Sequence, residues 1–68
     1  MNGFYQPVIR LLKARGYRFI RNCKGSHEFW AVVDDQKRMR AYAIVPRNLG
    51  SRDTANGILK NAGIKDKV

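Results

Sequence analysis

Apolar positions recur along this chain with two different periods, and the changes of period divide it into five elements. Phe4, Val8, Leu11 and Leu12 fall at i, i+4, i+7 and i+8, the spacing of one apolar helix face, and predict a helix over Phe4 to Arg15. Gly16 stands where a left-handed C-cap is expected. Pro7 is compatible with the helix only near its first turn, which moves the expected start toward Gln6. The period then shortens to two. Tyr17 to Arg21 and His27 to Val33 read as strands, the second rich in aromatic and β-branched residues. Asp34-Asp35-Gln36-Lys37-Arg38 reads as a polar hairpin loop. Met39 to Val45 is a third strand, stopped by Pro46, which cannot donate to a ladder. Ser51 is placed to cap a second helix reaching Ala62, with Ala55, Ile58, Leu59 and Ala62 as its apolar stripe. Gly63 is its expected C-cap, with Ile64 packing back over the end. Gly57 weakens this helix by about 1 kcal/mol relative to alanine.

The order α-β-β-β-α predicts an α+β fold of double-stranded-RNA-binding-domain-like architecture: a three-stranded antiparallel sheet with two helices on one face. No repeat, linker or low-complexity tract divides residues 1–68, so a single domain is expected. Such a sheet has an open face. In the second strand Phe29, Ala31 and Val33 alternate with Trp30 and Val32, so both faces carry apolar groups and one set cannot lie under the helices. Either a partner covers that set, or Trp30 stands half exposed.

Size and charge narrow the partners. The chain has 68 residues, and a domain this small buries only about 60% of the surface of its unfolded chain. A deep cavity is not expected; a shallow surface site suited to a polymer is. Fourteen Lys and Arg against five Asp and Glu give a net charge of +9, which speaks of nucleic acid, an acidic protein or a membrane surface. The membrane fits poorly, because no apolar run approaches the roughly 20 residues of a span and the cations are not gathered on one helix face. The N-terminus lacks a charged start followed by an apolar block, so no signal peptide is expected. Cys23 is the only cysteine and cannot form an internal disulfide. A reducing, cytoplasmic location follows.

The chemistry concentrates at Lys24-Gly25-Ser26-His27, which carries the only histidine. A small turn delivers His27 to the start of a strand. Neutral imidazole, with an ordinary pKa of about 6.5, suits general-base attack on a ribose 2′-hydroxyl. Gly25 and Ser26 offer backbone N–H groups to phosphate oxygens, and Lys24 and Arg21 can stabilise charge on the phosphate. Arg18 and Arg21 are expected to flank the histidine loop, and Arg47 and Arg52 to add a further phosphate contact. Metal-assisted cleavage fits badly, because Asp34 and Asp35 are adjacent on a turn and need not converge; one His and one Cys make no zinc site. No cofactor is expected. For each cation taken singly, a solvated surface role is the ordinary alternative, as an ordinary surface position is for His27. RNA fits better than DNA, because no helix reads as a recognition helix.

Four segments together carry a resemblance. Leu11-Leu12-Lys13-Ala14-Arg15-Gly16-Tyr17, Lys24-Gly25-Ser26-His27-Glu28, Val45-Pro46-Arg47 and Ile58-Leu59-Lys60-Asn61-Ala62-Gly63-Ile64 make the chain resemble the HicA toxin family over nearly its whole length. The resemblance implies a type II toxin that cleaves mRNA independently of the ribosome and arrests translation. It places the active histidine at His27 and the glycine-serine turn at Gly25 and Ser26. It further implies a HicB-type antitoxin that covers the active site, with operator DNA reached only through the toxin–antitoxin complex. Cys23 and Pro7 depart from the family pattern without touching this chemistry. Two other functions remain compatible with the residues: a non-catalytic RNA-binding module of the same fold, and a small basic subunit that docks an acidic protein.

Overall fold

The computed structural model describes residues 3–68. It consists of helix α1 (Tyr5–Ala14), strands β1 (Arg18–Asn22), β2 (His27–Val33) and β3 (Met39–Pro46), and helix α2 (Arg52–Asn61). The strands form one antiparallel sheet in the order β1-β2-β3. Val8 and Leu12 of α1 and Ala55 and Leu59 of α2 pack with Trp30, Ala43 and Val45 of the sheet in a single core. Both helices therefore cover the same face. The shortest principal extent is 15 Å, room for one sheet and one layer of helix. No helix among the described residues is long and apolar enough to cross a membrane.

The helix ends follow local chemistry. Gly16 (φ +89°) and Gly63 (φ +77°) each hold the left-handed conformation beyond a helix. After α1, the Gly16 N–H donates to the Lys13 carbonyl and the Tyr17 N–H to that of Leu12; after α2, the Gly63 and Ile64 N–H groups donate to Lys60 and Leu59. Both ends are Schellman motifs, and the following residue, Tyr17 or Ile64, is buried. The Tyr17 hydroxyl donates to the Ala62 carbonyl at 3.0 Å, which ties the two helix ends together. At the other end of α2, the Ser51 Oγ accepts from the Thr54 N–H. Helix α1 begins at Tyr5, slightly ahead of the expected start. Pro7 is its third residue, where no helical acceptor is waiting for an N–H.

Two expectations need correction. The buried face of α1 is Val8, Ile9 and Leu12, with Phe4 and Leu11 at its margins. The stripe is rotated toward Tyr5, whose hydroxyl reaches beneath the helix to Glu28 at 2.7 Å. Trp30 is not half exposed. It is 4% accessible, with Phe19 edge-on to its ring at 5.9 Å, on the side of the sheet that the helices cover. Phe29, Ala31 and Val33 consequently point to the open face.

A bulge in β1 sorts its side chains. Phe19 pairs with Trp30 and Arg21 with Phe29, leaving Ile20 as the extra residue. Simple alternation would put Arg18 and Arg21 on opposite faces. The inserted residue turns both toward the open one.

Gly57 offers a direct test of the α2 assignment. A Cβ there would meet no atom within 4 Å, so alanine gains helix propensity without a clash. Gly57→Ala is expected to stabilise the domain by about 0.5–1 kcal/mol, a rise of several degrees in Tm for a domain of this size. A thermal melt showing no rise contradicts a helical interior at this position.

Candidate functional site

The β1–β2 hairpin builds the site. The Cys23 N–H donates to the His27 carbonyl at 2.8 Å and the His27 N–H to the Lys24 carbonyl at 3.4 Å, closing a turn over Lys24-Gly25-Ser26-His27. Gly25 occupies the first central position at φ +65°, where an L side chain is strained and glycine is favoured. Among the described residues, the Gly25 and Ser26 N–H groups have no backbone acceptor, so both are open to an anion. The Arg47 N–H donates to the Ser26 carbonyl at 2.9 Å, which fastens the turn to the end of β3.

His27 opens β2 and is exposed. Its Nδ1 lies 3.3 Å from the Lys24 carbonyl. With the proton on Nδ1 donated to that carbonyl, Nε2 keeps its lone pair and is the nitrogen able to accept a proton. Strand alternation fixes the direction of the ring. Glu28 points under the helices, so His27 and Phe29 emerge on the open face.

The predicted phosphate-binding residues divide into three groups. Lys24, Gly25 and Ser26 share the turn with His27. Arg21 lies beside it, its guanidinium 5.3 Å from the centre of the Phe29 ring and Nη1 4.0 Å from Cys23 Sγ. Arg18 does not flank the loop. It pairs with Ala31, four residues along β2 from His27, or about 13 Å at the rise of a strand. Arg47 leaves the same end of the sheet on the opposite face, because Pro46 is the partner of His27. The Arg52 guanidinium lies 5.4 Å from the Phe4 ring centre, also on the helix side. Among the described residues, no three His, Cys, Asp or Glu side chains gather as a metal site requires.

Arg47 is held by a buried carboxylate. Glu28 is 4% accessible and accepts from the Tyr5 hydroxyl at 2.7 Å, Trp30 Nε1 at 2.9 Å and Arg47 Nε at 3.0 Å. Burial pushes the carboxyl up, but the bonds from Tyr5, Trp30 and Arg47 and the charge of Arg47 outweigh it and hold Glu28 below its ordinary value. The reciprocal effect appears on Tyr5. Burial, then its bond to Glu28, raise the phenol to about 12. The Arg47 side chain remains 63% exposed, so the outer nitrogens of its guanidinium are accessible while Nε is pinned.

The sequence reading missed this network, and also Phe29 and Tyr42, whose rings stack 5.6 Å apart at 29° on the open face. The spacing of Glu28, Trp30 and Val32 carries a signal for the first. A lone carboxylate in register with apolar residues at i+2 and i+4 has to be buried with donors.

No family model, no curated protein and no solved structure matches this chain. What it does has to be read from its own side chains.

Proposed function

We propose that this protein is a metal-independent endoribonuclease that cuts mRNA and arrests translation, acting as the HicA-like toxin of a type II toxin–antitoxin pair in the cytoplasm. The observation that carries this reading is the placement of His27. The one imidazole of a strongly basic domain stands exposed on a glycine-shaped turn, beside the Gly25 and Ser26 N–H groups, which have no backbone acceptor among the described residues, and next to Lys24 and Arg21. In this reading Nε2 of His27 takes the proton of a ribose 2′-hydroxyl. The freed oxygen attacks phosphorus, the bond to the 5′-oxygen breaks, and a 2′,3′-cyclic phosphate forms. The leaving 5′-oxygen takes a proton from water or from Lys24. The Gly25 and Ser26 N–H groups, with Lys24 and Arg21, face the charge that builds on the phosphate. An acidic HicB-type antitoxin covers the same turn, and operator DNA is met only through that complex.

The test is incubation of purified protein with mRNA in EDTA, followed by analysis of the new ends. Cleavage leaving 5′-hydroxyl ends is expected. Ends carrying 5′-phosphate and 3′-hydroxyl rule out the 2′-hydroxyl route. Salt-sensitive binding without cleavage favours a non-catalytic RNA-binding module instead. One observation speaks for that second reading: among the described residues, the imidazole has a single polar neighbour within hydrogen-bonding reach, the Lys24 carbonyl.

A further inference from the structure

The open face of the sheet is both aromatic and cationic, and it leads to His27. Cross-strand register places Arg18, Ala31 and Tyr42 in one row and Arg21, Phe29 and Ile44 in the next, with His27 and Pro46 beyond them. Among the described residues, no helix covers these rows. Tyr42 is 57% exposed, and its ring stacks with Phe29, which in turn lies under Arg21. All five acidic residues lie off these rows. Glu28 is buried on the other face, Asp34 and Asp35 are in the β2–β3 loop, Asp53 is in α2, and Asp66 is near the C-terminus. The face therefore joins flat π-surfaces to guanidinium groups with no carboxylate among them.

We infer that this face is a stacking platform for single-stranded RNA, on which a base lies against Tyr42, backed by the Phe29 ring, while Arg18 and Arg21 hold the adjoining phosphates and direct the strand to His27. The inference rests on the proposed ribonuclease activity and adds where its substrate lies and in what form. Charge complementarity selects the occupant. Exposed aromatic rings bind any base through its π-face, and neighbouring cations track the backbone. Sheets that recognise RNA in this way stack two or three bases. A duplex cannot use the platform, because its bases are already stacked on one another. The β1 bulge acquires a purpose here, since it brings Arg18 and Arg21 to the same face.

The test measures binding by fluorescence anisotropy, with a labelled single-stranded RNA and the corresponding duplex. His27→Ala serves as the parent, so that no strand is cut, and is compared with His27→Ala carrying Tyr42→Ala or Tyr42→Phe. The alanine substitution is expected to weaken single-strand binding about ten-fold or more, the phenylalanine substitution to retain most of it, and duplex affinity to be unaffected by either. Unchanged single-strand affinity for the alanine variant overturns the platform and leaves the ribonuclease reading intact. Absence of RNA binding by the parent and by the wild-type chain overturns both. If Tyr42→Ala instead converts a sedimenting dimer to a monomer without changing RNA affinity, the face is an interface between copies and the platform is wrong. Photocrosslinking of 4-thiouridine RNA to the unsubstituted chain is independent of any variant's folding. Adducts on the Ala41–Arg47 tryptic peptide support the platform, and adducts confined to the helices overturn it.

Discussion

Replacing His27 by alanine is expected to slow RNA cleavage by about 10²–10⁴-fold, the usual contribution of a positioned general base, while leaving fold and RNA affinity nearly unchanged. The separation follows from placement. The His27 backbone closes the turn through its N–H and carbonyl, and alanine retains both. The imidazole itself is exposed, and among the described residues its one polar contact is the 3.3 Å approach to the Lys24 carbonyl. Losing it strands no buried group, so the change in stability should stay within about 0.5 kcal/mol. On the proposed platform, affinity is expected to come from the surrounding cations and rings, which the substitution leaves in place. Cleavage in EDTA, anisotropy and a thermal melt on the same two preparations check all three statements. Equal cleavage by both proteins sinks the assignment of His27 and points to a contaminating nuclease or a misplaced site. Loss of cleavage together with loss of the melt makes His27 a structural residue.

The fold was legible because its signals are local. Two Schellman endings need only Gly16 and Gly63 after an apolar stripe, and Ser51 needs only the free N–H of Thr54. The hairpin loop is equally self-contained: Asp34 Oδ1 accepts from the Gln36 and Arg38 N–H groups, and Lys37 takes the positive φ. The composition of the histidine turn was legible for the same reason. What escaped were quantities set by tertiary geometry. The rotation of α1 toward Ile9 depends on Tyr5 finding Glu28 from 23 residues away. The burial of Trp30 depends on which face the helices choose, and a strand apolar on both sides does not announce that choice. The common orientation of Arg18 and Arg21 depends on a bulge, which strict alternation cannot foresee. These are also the features that separate Arg47 from His27 and align the open face with the turn. The turn that carries His27 was thus readable from adjacent residues, whereas the face on which Arg18, Arg21 and Tyr42 meet needed the register.

Glu28→Ala is expected to cost about 3–5 kcal/mol, the loss typical of breaking one side of a buried charged network. A domain of 68 residues has a total stability of only about 3–10 kcal/mol, so this variant should be largely unfolded or close to it. The cost arises from the partners left behind. Trp30 Nε1 and the Tyr5 hydroxyl lose their acceptor under the helices, and each stranded buried donor costs about 1–3 kcal/mol. Glu28→Gln should be milder, because an amide oxygen still accepts from Tyr5 and Trp30, although its NH₂ then meets Arg47. The network also sets the pH limits of the fold. A carboxyl held below its unfolded value of 4.5 contributes stability that is fully present above that pH and drains away as the pH falls through the folded value. A phenol raised from 10.0 to about 12 contributes stability present below pH 10 and lost as the pH climbs toward 12. Melting temperatures from pH 2 to 12 should therefore fall at both ends for the wild-type protein. Glu28→Gln should flatten the acid limb, and Tyr5→Phe the alkaline one. Unchanged limbs in both variants would mean that this carboxylate does not bind its three donors as a unit. The site would lose its anchor with it, because Glu28 follows His27 directly in β2 and its inward burial is what turns the imidazole outward.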